Sequence, residues 1–233
     1  MTAGEKIVGV IGGMGPEATV EFMRRLVAAV PAKDDADHLH VIADNNPKVP
    51  SRIKALIEGG GEDPAPVLIA MARGLEAAGA GVLAIPCNTA HYYLPQIARA
   101  VRVPVLDVVA LAVGGLSSLA PKPRRVGMLA STAIRLVGLF GARLGAAGFE
   151  TLFPDAERQA GLLDVIRAVK AGAVTAEHRQ VYQGVARHLA GQGADAFLVA
   201  CTELSLLPAP DVTRPVLDTL DILVDATVAA ARD

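Results

Sequence analysis

At 233 residues, with 52% hydrophobic content but only 3% aromatics and no Trp, the chain must fill its core with Ala, Val, Leu and Ile, a composition suited to buried parallel strands covered by helices. A formal charge of -2 and no basic run longer than KPRR at 122–125 exclude a phosphate-backbone binder, so no nucleic-acid partner is expected. No apolar stretch approaches the roughly 20 residues of a bilayer span, and MTAGEKIVGV lacks a basic segment followed by an apolar one; a soluble cytoplasmic protein with no membrane partner and two reduced cysteines is expected.

Taken in chain order, KIVGVI (6–11) reads as a buried strand, and EATVEFMRRLVAAV (17–30) as an amphipathic helix with Pro16 at its first position. HLHVIAD (38–44) ends a second strand. The loop that follows, through GGGED at 59–63, is flexible by composition and a candidate to close over a ligand. GAGVLAIPC (79–87) is an apolar run of strand length that ends in Cys87, and PVLD (104–107) leads into an Ala/Leu/Val helix pattern.

After the breaker-rich APKPRR (120–125), RRVGMLA (124–130) opens a second series. EHRQVYQGVARHLAGQG (177–193) reads as a helix, GADAFLVAC (193–201) aligns without gaps on the first cysteine strand and ends in Cys201, and PVLD recurs identically at 215–218. Three ordered matches at a spacing of about 110 residues indicate a duplicated unit. The fold class expected is therefore α/β, with two pseudo-symmetric lobes, each a parallel sheet flanked by helices, and the active site between the lobes. The first lobe is residues 1–118, the second 119–218, and a terminal helix at about 219–233 packs back on the first lobe.

Open parallel sheets bind ligands at the carboxyl ends of their strands, and both cysteines lie at such ends. A metal site is one use for them: Cys87 and His91 share a helical spacing, and Cys201 would make a third ligand, but no second local pair exists, and His91 reads more simply as an exposed residue on the first turns of a helix. A Cys-His hydrolase leaves the duplicated cysteine without a role. Two thiols on opposite faces of one carbon suit proton exchange: one thiolate removes a proton and the opposite thiol returns one, which is racemisation. Asn88, Thr89 and Thr202 follow the cysteines, where they serve either as ordinary helix caps or, with helix N-terminal N–H groups, as a grip on a substrate carboxylate.

A rival signal is GMGPEA (13–18), which fits the G-x-G-x-x-A turn of a dinucleotide fold, but the acidic residue that should bind ribose, Asp44, comes late, and nothing in that reading uses the paired cysteines.

IGGMGPEAT (11–19), NNPKVPSR (45–52), PCNTAH (86–91), VKAG (169–172) and ACTEL (200–204) together, over essentially the whole chain, closely resemble the pyridoxal-phosphate-independent aspartate/glutamate racemase family, and its aspartate racemase branch in particular. The resemblance implies two lobes, a homodimer, no cofactor, a small acidic amino acid as substrate, and a two-base mechanism in which Cys201 deprotonates the L-enantiomer and Cys87 the D-enantiomer. It assigns Arg52 and Lys170 to the substrate's side-chain carboxylate, Met14 to the border of the pocket, and Asn88, Thr89 and Thr202 to the α-carboxylate.

One departure stands out. In MLASTAIRL (128–136) the family's threonine-glycine-threonine turn keeps Thr132 but carries Ala133 and Ile134, which leaves Ser131 and Thr132 as the candidate contacts there. That altered turn motivates a non-catalytic binder of acidic amino acids as an alternative, beside glutamate or broader-specificity racemases and isomerases of the same fold.

Overall fold

The alternation of short apolar runs with amphipathic stretches is realised in a computed structural model that describes residues 4–233. In chain order the elements are β1 (Ile7–Gly12), α1 (Pro16–Ala29), β2 (Val41–Asn45), α2 (Ala65–Ala77), β3 (Ala80–Ala84), α3 (Leu94–Ala100) and α4 (Val108–Ser117). The second series is β4 (Arg125–Ala130), α5 (Thr132–Leu136), α6 (Gly141–Ala146), β5 (Glu150–Leu152), α7 (Ala156–Lys170), α8 (Ala176–Gly191), β6 (Ala196–Ala200), β7 (Val216–Asp218) and α9 (Thr219–Arg232). Pro16 starts α1 as expected, where its missing N–H costs no helical bond. The expected flexible loop after β2 contains a wide helical turn, Lys54–Glu58.

The chain divides into two compact units, one running to Val108 and taking in Leu220–Asp233, the other Val109–Thr219. In the first, a three-stranded parallel sheet has the order β2-β1-β3. Its far edge is extended by the first PVLD: Val105 bridges Leu83, whose N–H donates to the Pro104 carbonyl at 2.9 Å. In the second, a four-stranded parallel sheet has the order β5-β4-β6-β7. There the second PVLD forms β7, and the Phe197 N–H donates to the Pro215 carbonyl at 2.8 Å. The identical tetrapeptides thus do the same work, completing the sheet beside the strand that leads to a cysteine.

Glycine at the middle of each opening strand has a packing cause. A Cβ at Gly9 would come within 2.5 Å of Leu83 and 2.8 Å of Ala80; at Gly127 it would come within 2.9 Å of Phe197 and 3.2 Å of Ala194. Each glycine makes room for a large side chain on the neighbouring cysteine-bearing strand, at matching positions of the two series. Leu83, Leu68, Leu75 and Ile97 anchor the core of the first unit, and Phe197, Leu129, Leu162 and Leu189 that of the second.

The terminal helix α9 is fastened to the start of the first unit. The Lys6 N–H donates to the Ala231 carbonyl at 2.8 Å and its ammonium to the Ala230 carbonyl at 3.2 Å. Arg25 reaches from α1 to Asp221 at 2.7 Å and also grips Glu21, which Arg24 holds through two further bonds. The Arg24 hydrogen bonds, followed by those of Arg25, hold the Glu21 carboxyl at about 2, against its ordinary 4.5. A carboxyl lowered on folding stabilises above its unfolded value and ceases to as the pH falls through the folded one. This contribution is therefore complete at neutral pH and lost between about 4.5 and about 2; solvent screening leaves it near 1 kcal/mol. Urea midpoints of Glu21→Gln should accordingly fall less across that window than those of the unaltered protein.

Candidate active site

In the first unit, β1 and β3 lie side by side, so the segments leaving their carboxyl ends emerge together. From β3 the chain passes through Ile85 and Pro86 to Cys87, which is buried at 5% exposure and takes the N-cap position of a tight 3-10 turn, Asn88–Tyr93. Asn88 is buried and Thr89 half-buried. The expectation of an exposed His91 on an α-helix is corrected: His91 is 3% exposed, with Nδ1 at 3.0 Å from the Cys87 carbonyl and Nε2 at 3.3 Å from the Leu106 carbonyl. The tighter 3-10 winding turns its ring inward, where it braces the backbone under the thiol. No cluster of three or more metal-ligating side chains occurs among the described residues.

From β1 the chain enters the glycine turn. The Gly13 N–H donates to the Thr19 hydroxyl at 2.9 Å, and the Met14 carbonyl accepts from the Arg52 guanidinium at 3.1 Å. Arg52 also donates to the Pro50 carbonyl at 3.1 Å, so it is a half-buried brace. Its Nε is buried and has no hydrogen-bond partner among the described residues. Met14 is packed into the same core cluster as Cys87, at 2% exposure. The structure thus brings Met14 and Arg52 together on the sheet edge from which Cys87 also emerges.

In the second unit the equivalent edge is formed by β4 and β6, paired through Ala130 and Ala200, each one residue before a candidate: Ser131 and Cys201. Ser131 is 6% exposed, and its hydroxyl has no hydrogen-bond partner among the described residues, leaving a buried donor at the start of α5. Thr132 is half-buried beside it, whereas Ala133 and Ile134, the residues that depart from the family's turn, are buried in the core at 2% and 1% exposure. The substituted positions therefore pack.

Cys201 is 6% exposed and is followed by Thr202 and Glu203, both buried. Its thiol donates to Glu203 Oε2 at 3.1 Å, and the other oxygen of that carboxylate lies 3.1 Å from the Lys170 ammonium at the end of α7. Burial pushes the Cys201 thiol well above its usual value, the Glu203 carboxylate pushes it further, and Lys170 pulls the other way. Tyr182, on α8, is pushed up by burial too, with Asp218 and Cys201 as its electrostatic neighbours. Lys170 closes α7 ahead of Gly172, whose φ of +64 ends the helix. Glu203 carried no assigned role in the sequence, although it lies within ACTEL; the available signal was its place two residues after a cysteine.

Comparison with known proteins covers most of the chain. Residues 11–227 match the family model described as Asp/Glu/Hydantoin racemase. The broad specificity amino-acid racemase RacX of Bacillus subtilis (strain 168) is 26% identical over 238 residues, 96% of this chain and 97% of that protein. Among solved structures, the aspartate racemase of Picrophilus torridus superposes with a TM-score of 0.86 at 30% identity, covering 97% of this chain and 94% of its own. An aspartate racemase homologue from Pyrococcus horikoshii OT3 shares the fold, with a TM-score of 0.77 at 22% identity over 98% of this chain and all of its own. With a family model matched over most of its length, two parallel α/β sheets and a cysteine after the third strand of each series, the chain belongs to the Asp/Glu/hydantoin racemase family.

Proposed function

We propose that the protein interconverts L- and D-aspartate without a cofactor, as a cytoplasmic homodimer, with Cys87 and Cys201 as the two acid-base groups at Cα. The observation that carries this reading is the equivalence of the two thiols: each is a free, buried cysteine shortly past the carboxyl end of a parallel strand, the third of its series, in a chain that has only these two cysteines. In the reaction, the thiolate on one face takes the α-proton and the thiol on the other face supplies a proton to the carbanion. Donors near each cysteine, Asn88, Thr89 and Thr202 with Ser131 and Thr132, are suited to hold the α-carboxylate while charge develops on it. Arg52 and Lys170 are the cations for a second carboxylate, and Met14 lines the pocket.

A broader amino-acid racemase is the second reading, and a specific contact favours it. Lys170 already carries a protein carboxylate, Glu203, at 3.1 Å, and both terminal nitrogens of Arg52 donate to carbonyls. Both cations are already engaged by protein groups, and the relative from Bacillus subtilis is a broad specificity racemase by its name.

Incubating the protein in D2O with L-aspartate, L-glutamate and a neutral L-amino acid in parallel, and following α-deuteration and the opposite enantiomer, tests both readings. D-aspartate carrying α-deuterium, with the neutral amino acid unchanged, is the expected result. Inversion of all three substrates replaces aspartate specificity by the broader reading, and binding without exchange replaces both by a non-catalytic binder.

A further inference from the structure

The two cysteine segments are equivalent in position but not in charge. Two residues after Cys87 stands Thr89; two residues after Cys201 stands Glu203. Glu203 is 7% exposed, accepts the Cys201 S–H at 3.1 Å on one oxygen and meets the Lys170 ammonium at 3.1 Å on the other. A thiol, a carboxylate and an ammonium therefore stand in a row, and the row is neutral only while the proton stays on sulfur. Ionising Cys201 in place would set two anions in hydrogen-bond contact inside the protein, an arrangement that burial penalises. Tyr182, beside this thiol, and Asp218, beside Tyr182, do not relieve it. Tyr182 on α8 is kept neutral by burial, and Asp218 at the end of β7 is an acid bonded to the Ser205 hydroxyl at 2.6 Å.

We propose that Glu203, anchored by Lys170, is a positioning residue that fixes the proton of the unliganded protein on Cys201, so that this thiol enters the first turnover as the acid. The proposal rests on the two-cysteine reading above and adds a direction to it. In that turnover the Cα–H bond breaks toward the Cys87 thiolate, which becomes a thiol. The Cys201 S–H bond breaks, its proton forms the new Cα–H bond on the opposite face, and the S–H electron pair remains on sulfur. The unliganded protein is thus set for the enantiomer that presents its α-proton to Cys87. Before the cycle repeats, the Cys87 thiol gives the abstracted proton to solvent and the Cys201 thiolate takes one from solvent; a reverse turnover resets both at once.

The test uses the full chain labelled with 13Cβ-cysteine. Because only two cysteines exist, Cys87→Ser leaves a single signal whose shift reports thiol or thiolate as the pH is raised. With Glu203 intact the thiol form should persist past the ordinary 9.0. In the same background Glu203→Gln should lower the midpoint by at least about one pH unit, a tenfold gain in thiolate at a fixed pH. Glu203→Asp should restore part of the shift, and Lys170→Met should raise the midpoint further. An unchanged midpoint in Glu203→Gln overturns the proposal; if that variant does not fold, an unchanged or lowered midpoint in Lys170→Met does so.

A second arm reads direction. With enzyme in excess and both cysteines present, single turnovers should be faster with the D-enantiomer of aspartate than with the L-enantiomer, and Glu203→Gln should abolish the preference. Equal rates in the unaltered protein, or the opposite preference, overturn the assignment. The titration requires no catalysis, so absence of α-proton exchange defeats the racemase reading without touching it, while an unchanged titration defeats this proposal even where exchange is intact.

Discussion

Cys87→Ser and Cys201→Ser are each expected to reduce inversion of aspartate by on the order of 10³-fold, the range a positioned acid or base contributes. A serine hydroxyl fills nearly the same volume but is a far weaker acid than a thiol, so it neither forms the abstracting anion nor surrenders a proton at a useful rate. The informative result is which exchange survives. With Cys201 alone, L-aspartate in D2O should slowly acquire α-deuterium without inverting, because the remaining thiolate removes and returns protons on one face. With Cys87 alone, the same should hold for D-aspartate. Mass spectrometry of each separated enantiomer distinguishes these outcomes. Exchange into both enantiomers by either single-cysteine protein would mean that one base serves both faces, and the two-thiol mechanism would fall. The serine side chain is close to isosteric, so unfolding midpoints should change little, which separates a catalytic loss from a structural one.

The duplicated architecture was legible because it is written in apolar periodicity and in punctuation. The runs that became β3 and β6 are largely apolar, are entered through Gly-Ala and lead to a cysteine, and the two PVLD segments repeat the edge that completes each sheet. Such features need only local sequence, since a parallel strand covered on both faces must be apolar throughout. The positions of Cys87, Asn88, Cys201 and Thr202 follow directly from where those runs stop.

Glu203 and His91 were harder for a physical reason. The role of Glu203 depends on Lys170, which α7 delivers from far along the chain, and nothing local signals that a helix-terminal cation and a post-cysteine carboxylate will meet at 3.1 Å. The Cys87–His91 spacing is that of one α-helix face, whereas the segment winds as a 3-10 turn that carries the imidazole into the interior. Arg52 shows the same limit. Only the fold reveals that it holds the Met14 carbonyl and thereby the glycine turn. For Glu203 and Arg52 the missing information is a long-range side-chain contact, which periodicity does not encode; for His91 it is the local winding of the turn.

That glycine turn gives the largest stability effect to be expected outside the core. Gly13 has φ +90, a region costly for any residue with a Cβ, and a Cβ built there would lie 2.2 to 2.5 Å from the backbone C, O and N of Asn46. Backbone has no rotamer by which to yield, so Gly13→Ala must push the β1 exit away from the β2 exit. The turn is pinned on both sides, by Thr19 on the Gly13 N–H and by Arg52 on the Met14 carbonyl, so the displacement also strains the contacts that place Met14. A loss of about 3 kcal/mol or more is expected from torsional strain and overlap together. Gly138→Ala isolates the torsional part, because Gly138 has φ +63 but nothing within 4 Å of the added methyl; it should cost only about 1 kcal/mol. Denaturant midpoints measured side by side decide the matter. Equal losses in the two variants would mean that the Asn46 backbone gives way freely and that the turn is held by its hydrogen bonds alone, whereas a deficit confined to Gly13→Ala, accompanied by slower racemisation, would make the close approach of the β1 and β2 exits a condition for both the fold and the placement of Met14 and Arg52.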